Sequence, residues 1–309
     1  MTTYLCLDIG GTKLKSALAD DQGNLTDKQS SSTPAVAEAF TGKIRSLVSQ
    51  YRSRISGIAI STPGTVDPVT QRLRFGGMLP FLDGINFADL LSDFGLPVHV
   101  ENDGKAAALA EVWQGSLKDT DTGAVIVLGT AVGGGIVIGH QLHYGLHAQA
   151  GEFSFMMTRD PAAGDEKMVA HNGSAVGMVQ AMNQAAGNID LLDGQAAFAS
   201  AASGNQAALT VLDQYSLNLA QLILNIQTII DGDRVAIGGG VSAQPLLLDR
   251  IQAAYDRLTA NPAIIGETLT KPEIVAAKYR NDANLLGTLY GLLRQEESSL
   301  DLKEAANEF

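Results

Sequence analysis

Three times along this 309-residue chain an apolar run ends in a cluster of glycines. The clusters are Asp8-Ile-Gly-Gly-Thr-Lys13, Leu128-Gly-Thr-Ala-Val-Gly-Gly-Gly135 and Ala236-Ile-Gly-Gly-Gly-Val241. Turns of this kind let backbone N–H groups approach phosphate oxygens with no Cβ in the way. A hairpin turn without a ligand uses the same residues, so one such loop says little. Three in one chain, two of them with Gly-Thr at the turn, point to a phosphate-bearing ligand.

The surroundings of the clusters define the fold class. Residues 3–11 read as a strand and turn, KLKSALAD as a second strand, and Asp20 to Gly23 as a hairpin turn before a third. Ala35–Ser53 then reads as an amphipathic helix with Ala39, Ile44, Leu47, Val48 and Tyr51 along one side. SGIAISTPG is a buried strand, PVHVENDG is another, and an alanine-rich helix follows from Lys105 to Trp113. This is a mixed α/β order and differs from the βαβαβ order of a dinucleotide-binding half. From Gly123 to Gly139 the opening strand–glycine turn–strand pattern recurs, which suggests two copies of one unit. The chain is irregular to about Asn172 and mostly helical from Ser174, with a long amphipathic helix at Leu217–Ile230. Asn284–Arg294 is expected to be the terminal helix, and the acidic stretch after it a mobile tail.

Composition narrows the function classes. A net charge of −12 repels nucleic-acid backbones, so a DNA- or RNA-binding role is disfavoured. The single cysteine, Cys6, lies inside an apolar strand and offers neither a disulfide framework nor a thiolate metal site. No basic n-region precedes a long apolar segment at the N-terminus. The uncharged stretch Gly123–Gly139 is too rich in glycine for a membrane span. A cytoplasmic protein with no membrane partner is expected.

Asp8 ends an apolar strand beside a phosphate loop, where a carboxylate's natural partner is Mg²⁺, directly or through water. The other reading is a strand-end Asp accepting turn amides. Thr12 and Thr130 carry hydroxyls suited to phosphate and Lys13 could add a charge; the other reading is ordinary turn residues, and for Lys13 the two weigh equally. Asp103, in Glu101-Asn102-Asp103-Gly104, has two readings as well. A carboxylate at that turn can take the proton of an alcohol receiving a phosphoryl group. Equally, Asp ahead of an alanine-rich helix is a favoured N-cap. Lys105, beside Asp103, could help neutralise phosphate charge, but a solvated helix lysine is the preferred reading, and His99, His140, His143 and His147 read as surface or loop residues.

In order, the motifs DIGGTK, STPGTVDP, ENDGKAAALAE, VIVLGTAVGGGIV, HAQAGEFSF and VAIGGGVS closely resemble the ROK family, from Leu5 to near Leu293. That family comprises glucokinase-like sugar kinases and related repressors. The resemblance implies an α/β, two-domain actin-like (ribonuclease-H-like) ATPase fold with the active-site cleft between domains. The expected domains are 1–116 with 284–296, and 117–283, with 297–309 as the acidic tail. It further implies Asp8, Gly10, Gly11, Thr12 and Lys13 as the first phosphate loop and Gly129, Thr130, Gly133 and Gly134 in the second. Gly238, Gly239 and Gly240 would lie against the adenosine. Pro63, Gly64, Thr65, Asn102, Asp103 and Glu152 would hold the sugar, with Asp103 as catalytic base. ATP and Mg²⁺, a small-molecule sugar partner and a homodimer are expected.

The likeness breaks after Glu152. The family's histidine position is Phe155, no cysteine-rich zinc loop follows, and no second sugar-binding glutamate is present. No zinc is expected, because a thiolate site cannot be built from His171 alone. Losing those groups removes part of the grip on a free hexose. The pocket is therefore expected to take a modified sugar such as a β-glucoside, with Phe155 as an apolar wall. Only seven residues precede Asp8, so a kinase is expected rather than a repressor with a helix-turn-helix. A sugar-binding or regulatory protein of the same family without catalysis is the alternative, and intact Asp8 and Asp103 weigh against it.

Overall fold

The computed structural model of the protein describes residues 2–159, 162 and 164–307, with side chains through residue 297 of the last helix. In chain order the first elements are β1 (Thr3–Ile9), β2 (Lys13–Asp20), β3 (Leu25–Ser32), α1 (Ala37–Tyr51), β4 (Gly57–Thr62), β5 (Thr65–Val66) and β6 (Leu73–Arg74). Next come α2 (Phe87–Leu90), β7 (Val98–Asn102), α3 (Asp103–Gln114), β8 (Gly123–Leu128), β9 (Val132–Ile138) and β10 (Gln141–His143). The helices α4 (Val169–Asn172), α5 (Ala175–Ala186), α6 (Gly194–Ala202) and α7 (Gln206–Ile230) follow. The last elements are β11 (Arg234–Gly239), α8 (Pro245–Ala260), α9 (Ala263–Thr268), β12 (Glu273–Ala276) and α10 (Ala283–Asn307).

The chain divides into two units. Unit one holds residues 1–113, 144–150 and 282–309; unit two holds 114–143 and 151–281. The short segment 144–150, expected with the second domain, therefore belongs to unit one.

Unit one is built on a five-stranded sheet of order β3-β2-β1-β4-β7. β1 and β2 form an antiparallel hairpin, and β4 and β7 join parallel to β1. The central strands are buried on both faces, as parallel strands between helices must be. Leu5, Leu7, Ile9, Ile58, Ile60, Val98 and Val100 pack with Phe40, Ile44 and Val48 of α1. The alternate residues Tyr4, Cys6 and Ala59 pack with Leu285, Leu289 and Leu292 of α10. Cys6 is buried there, and burial pushes its thiol up to about 12.

Unit two repeats the plan in the order β10-β9-β8-β11-β12, with the same antiparallel hairpin and the same two parallel additions. Ala124, Ile126, Leu128, Val235 and Ile237 pack against helices α5 to α8. α7 starts eleven residues before the expected Leu217, where Asn205 caps it by accepting from Ala207 and Ala208 N–H. α8, not anticipated from the sequence, starts at Pro245, a residue suited to a first helical position.

Two polar residues expected in solvent are inside unit one. Lys105 is 1% exposed, because α3 is buried on every side from Gly104 to Val112. His99 is 8% exposed, because β7 is covered by α10 on the face His99 shares with Glu101. The other three, His140, His143 and His147, are exposed. α10 continues as helix to Asn307, so the backbone of the expected tail is helical that far, and residues 308–309 lie outside the described part.

Candidate active site

The sheet register of unit one sets its candidate residues abreast. Asp8 pairs with Ser61, Ser61 with Glu101 and Thr62 with Asn102, at the C-terminal ends of three adjacent parallel strands. Ligand sites of open α/β sheets form outside such ends. Gly10 N–H donates to Lys13 O at 2.9 Å, closing the first glycine turn and leaving Gly11, Thr12 and Lys13 exposed. Asp8 itself is buried, and both its oxygens are engaged. Lys15 Nζ, its cross-strand partner, lies 3.0 Å from Oδ2, and Asn284 Nδ2 donates to Oδ1 at 3.0 Å.

Pro63 and Gly64 form the turn after β4, and Thr65 opens β5. Gly64 has φ +92°, and a Cβ there would lie 2.0 Å from Phe75 O, so only glycine fits. Asn102 Nδ2 donates to Gly64 O at 2.9 Å, which ties this turn to the end of β7. Asn102 Oδ1 accepts Lys105 N–H at 3.1 Å, the N3 bond of a helix cap. Thus Asn102 caps α3, and Asp103 is its first helical residue. Asp103 Oδ1 accepts Gly104 N–H at 2.8 Å and Asn102 Nδ2 at 3.2 Å. Its carboxylate stands at a helix N-terminus, where the backbone dipoles favour negative charge.

Sequence reasoning gave no role to the cluster behind this turn. Glu101 is 2% exposed; its Oε1 accepts Asn102 N–H at 2.9 Å and its Oε2 accepts Tyr144 O–H at 2.6 Å. Burial pushes the Glu101 carboxyl up to about 7, against the pull of those two donors and of Lys105. His99 Nε2 lies 4.0 Å from Glu101 Oε2, and burial holds its pKa down to about 4, so the imidazole is neutral. The one available signal was the polar alternation His99, Glu101 within an otherwise apolar strand.

In unit two the same turn closure recurs: Gly129 N–H donates to Ala131 O at 3.0 Å, and Thr130 and Ala131 are exposed. The expected loop is shorter than its glycines, because β9 begins at Val132. Gly133 is half-buried within that strand. Gly134 is a packing residue, since a Cβ there would meet the Phe153 ring at 2.5 Å. The third cluster is beside the second: Gly238 and Gly239 pair with Val127 and Leu128. A Cβ on Gly239 would lie 2.1 Å from Leu128 O, and Gly240 is exposed. Ser154 Oγ donates to Val132 O at 2.9 Å and accepts its N–H at 3.2 Å, fixing the segment that carries Glu152. Glu152 is half-buried and Phe155 is 71% exposed.

Each unit by itself offers groups suited to a phosphate. Two exposed glycine turns present backbone N–H groups and the Thr12 and Thr130 hydroxyls. Asp8 is a hard oxygen donor suited to Mg²⁺, reached through water or with Lys15 displaced. Among the described residues no three of His, Cys, Asp and Glu are grouped to hold a metal, and no helix is long and apolar enough to cross a membrane.

The sequence pattern of the ROK family matches residues 4–295. The chain belongs to the ROK family. This ROK chain is 27% identical to a β-glucoside kinase of Listeria monocytogenes over 94% of its own length and 97% of the relative's. Among solved structures it superposes with TM-score 0.84 on a ROK family protein of Streptococcus pneumoniae in complex with sucrose, at 33% identity, covering 96% of this chain and 100% of that one. A ROK glucokinase of Streptomyces griseus, in complex with glucose and AMPPNP, matches at 25% identity and TM-score 0.80, covering 93% and 98%. The architecture of the ROK chain is accordingly the α/β two-domain actin-like ATPase fold.

Proposed function

We propose that this chain, a sugar kinase of the ROK family by its relatives, transfers the γ-phosphoryl group of ATP to a hydroxyl of a hexose or hexose derivative, with Asp103 as general base. One observation carries the base assignment: the cap of α3 is Asn102, so Asp103 is not needed to start the helix. An alcohol proton must leave as the new O–P bond forms, and a carboxylate at hydrogen-bond distance accepts it. The γ-phosphorus–oxygen bond to ADP breaks in the same in-line displacement. Asn102 Oδ1 keeps a second lone pair for a sugar hydroxyl beside its cap bond.

Pro63, Gly64 and Thr65 line the sugar on the Asp103 side, and Glu152 accepts sugar hydroxyls. Gly10, Gly11, Thr12, Lys13, Gly129, Thr130 and Gly133 serve the phosphates, and Gly238, Gly239 and Gly240 the adenosine. Mg²⁺, held near Asp8, would neutralise charge on the phosphates as transfer proceeds.

The sugar is proposed to be a β-glucoside. Phe155 stands where the family has a histidine, and it is a solvent-facing apolar ring suited to an anomeric substituent. The Listeria relative's name agrees with this choice. Cytoplasmic residence, a homodimer and the absence of a nucleic-acid partner rest on the family likeness and the −12 charge. The test is an ADP-release screen with MgATP across hexoses, N-acetylhexosamines and β-glucosides. Cellobiose or arbutin should be turned over fastest; turnover of free glucose alone would overturn the β-glucoside reading, and no turnover of any sugar would overturn the kinase reading.

A further inference from the structure

The strand that delivers Asp103 carries a buried carboxylate that phosphoryl transfer itself does not use. Strand alternation turns His99 and Glu101 to the α10 side of the sheet, the side that Asp8 and Ser61 also face. A carboxylate taken out of water is costly to keep unless its oxygens are bonded, and those of Glu101 are. One oxygen grips the N–H of Asn102, and the other holds the Tyr144 hydroxyl. Asn102 in turn spends its side chain on Gly64 O, on Lys105 N–H and on Asp103 Oδ1. The sugar turn, the helix start and the proposed base therefore hang on one residue, and Glu101 pins that residue's backbone.

We propose that Glu101 is a positioning residue for phosphoryl transfer, its carboxylate bridging the Tyr144 hydroxyl and the Asn102 amide so that Asn102 and Asp103 are held in register. The inference rests on the reading of Asp103 as base. Facing Glu101 on β7 there is His99, whose Nδ1 lies 3.2 Å from Gln295 Oε1 of α10 and whose ring lies against Gly291. On β4 there is Ser61, whose buried Oγ has no hydrogen-bond partner among the described residues. α3 contributes the Lys105 charge, segment 144–150 contributes Tyr144, and Arg294 of α10 acts on Tyr144. His99 stays neutral near pH 7, so Glu101 is the member of this set that titrates there. The protonated Glu101 carboxyl becomes a donor, with the Tyr144 hydroxyl at 2.6 Å and His99 Nε2 at 4.0 Å as acceptors on its side of the sheet. Protonation removes the charge that strengthens the bond to the Asn102 amide, loosens that hold and lowers turnover.

The test is the pH profile of kcat and of kcat/KM with MgATP and the best sugar of the screen, for the unmodified chain, Glu101→Gln and Tyr144→Phe. Glu101→Gln should lose tenfold or more in kcat with KM for MgATP unchanged, and lose the inflection near pH 7. Tyr144→Phe removes a donor that favours the ionised form and one anchor of the bridge, so its acid limb should move to higher pH and its plateau should fall, by less than that of Glu101→Gln. Wild-type profiles for both variants would overturn the inference. A structural defect alone would lower activity without moving the limb, and that outcome also overturns it. Should Glu101→Gln fail to fold, Tyr144→Phe decides. Asp103→Asn separates the two readings: retained turnover there overturns the base, whereas an inactive Asp103→Asn beside unshifted Glu101 and Tyr144 variants overturns only this inference.

Discussion

Asn102 and Asp103 stand at the same strand end and do different jobs, and substitution separates them. Asp103→Asn keeps the size of the side chain and leaves the Asn102 cap in place. Turnover should fall by about 10²–10⁴-fold, the range of a lost general base, while the melting temperature barely moves. Steady-state kinetics beside thermal melting reads both. Glu101 makes a prediction about stability. Its folded pKa, about 7, is raised above the ordinary 4.5, so the folded state holds the proton more tightly than the unfolded chain. Its contribution is therefore most favourable below pH 4.5 and is lost as pH rises to 7, a swing on the order of 3 kcal/mol. Glu101→Gln carries no such charge, so its stability relative to wild type should improve from pH 5 to pH 8 in denaturant titrations. Asp103 was legible as a candidate, its own neighbours leaving base and helix cap open and the order of the motifs along the chain favouring the base. His99 and Lys105 were misread because their burial comes from α10 and from the packing of α3, which no local window contains.

Among elements, the strands and glycine turns were legible because apolar runs and breakers report them directly. What each glycine does was not. Gly134 reads as part of a phosphate loop and is there to admit Phe153, a neighbour nineteen residues on. Helix α8 was missed because its register, with Leu247, Ile251, Ala254 and Tyr255 inward, becomes visible only against α7. Two helical glycines make a paired test. A Cβ on Gly287 of α10 would fall 1.7 Å from Ala106 O, so Gly287→Ala must push α10 from α3. It should cost at least about 1–3 kcal/mol, the usual penalty for overpacking. Gly42 of α1 is exposed with nothing within 4 Å of a Cβ, so Gly42→Ala should stabilise by roughly 0.5–1 kcal/mol. Chemical denaturation of both variants checks the contrast.

At the scale of the molecule, the repeat seen in the glycine turns is a repeat of whole sheets with one strand order. The sequence showed the two hairpins because both begin on the same motif. It did not show that segment 144–150 returns to unit one, where the Tyr144 hydroxyl meets Glu101. α10 returns to unit one as well, bringing Asn284 to Asp8, Gln295 to His99 and three leucines to the sheet. That return sets an order of events during synthesis. Unit two is complete once residue 281 has emerged from the ribosome, whereas unit one, begun first, still lacks the helix that covers one face of its sheet. A nascent chain stalled with residue 281 exposed should show protease-resistant unit two and cleavable unit one, and one stalled beyond residue 297 should protect both. Equal protection of both at the earlier stall would contradict this order. The half of the protein that bears the proposed base is thus the last to mature, so no base-bearing fragment is finished before the rest of the enzyme exists.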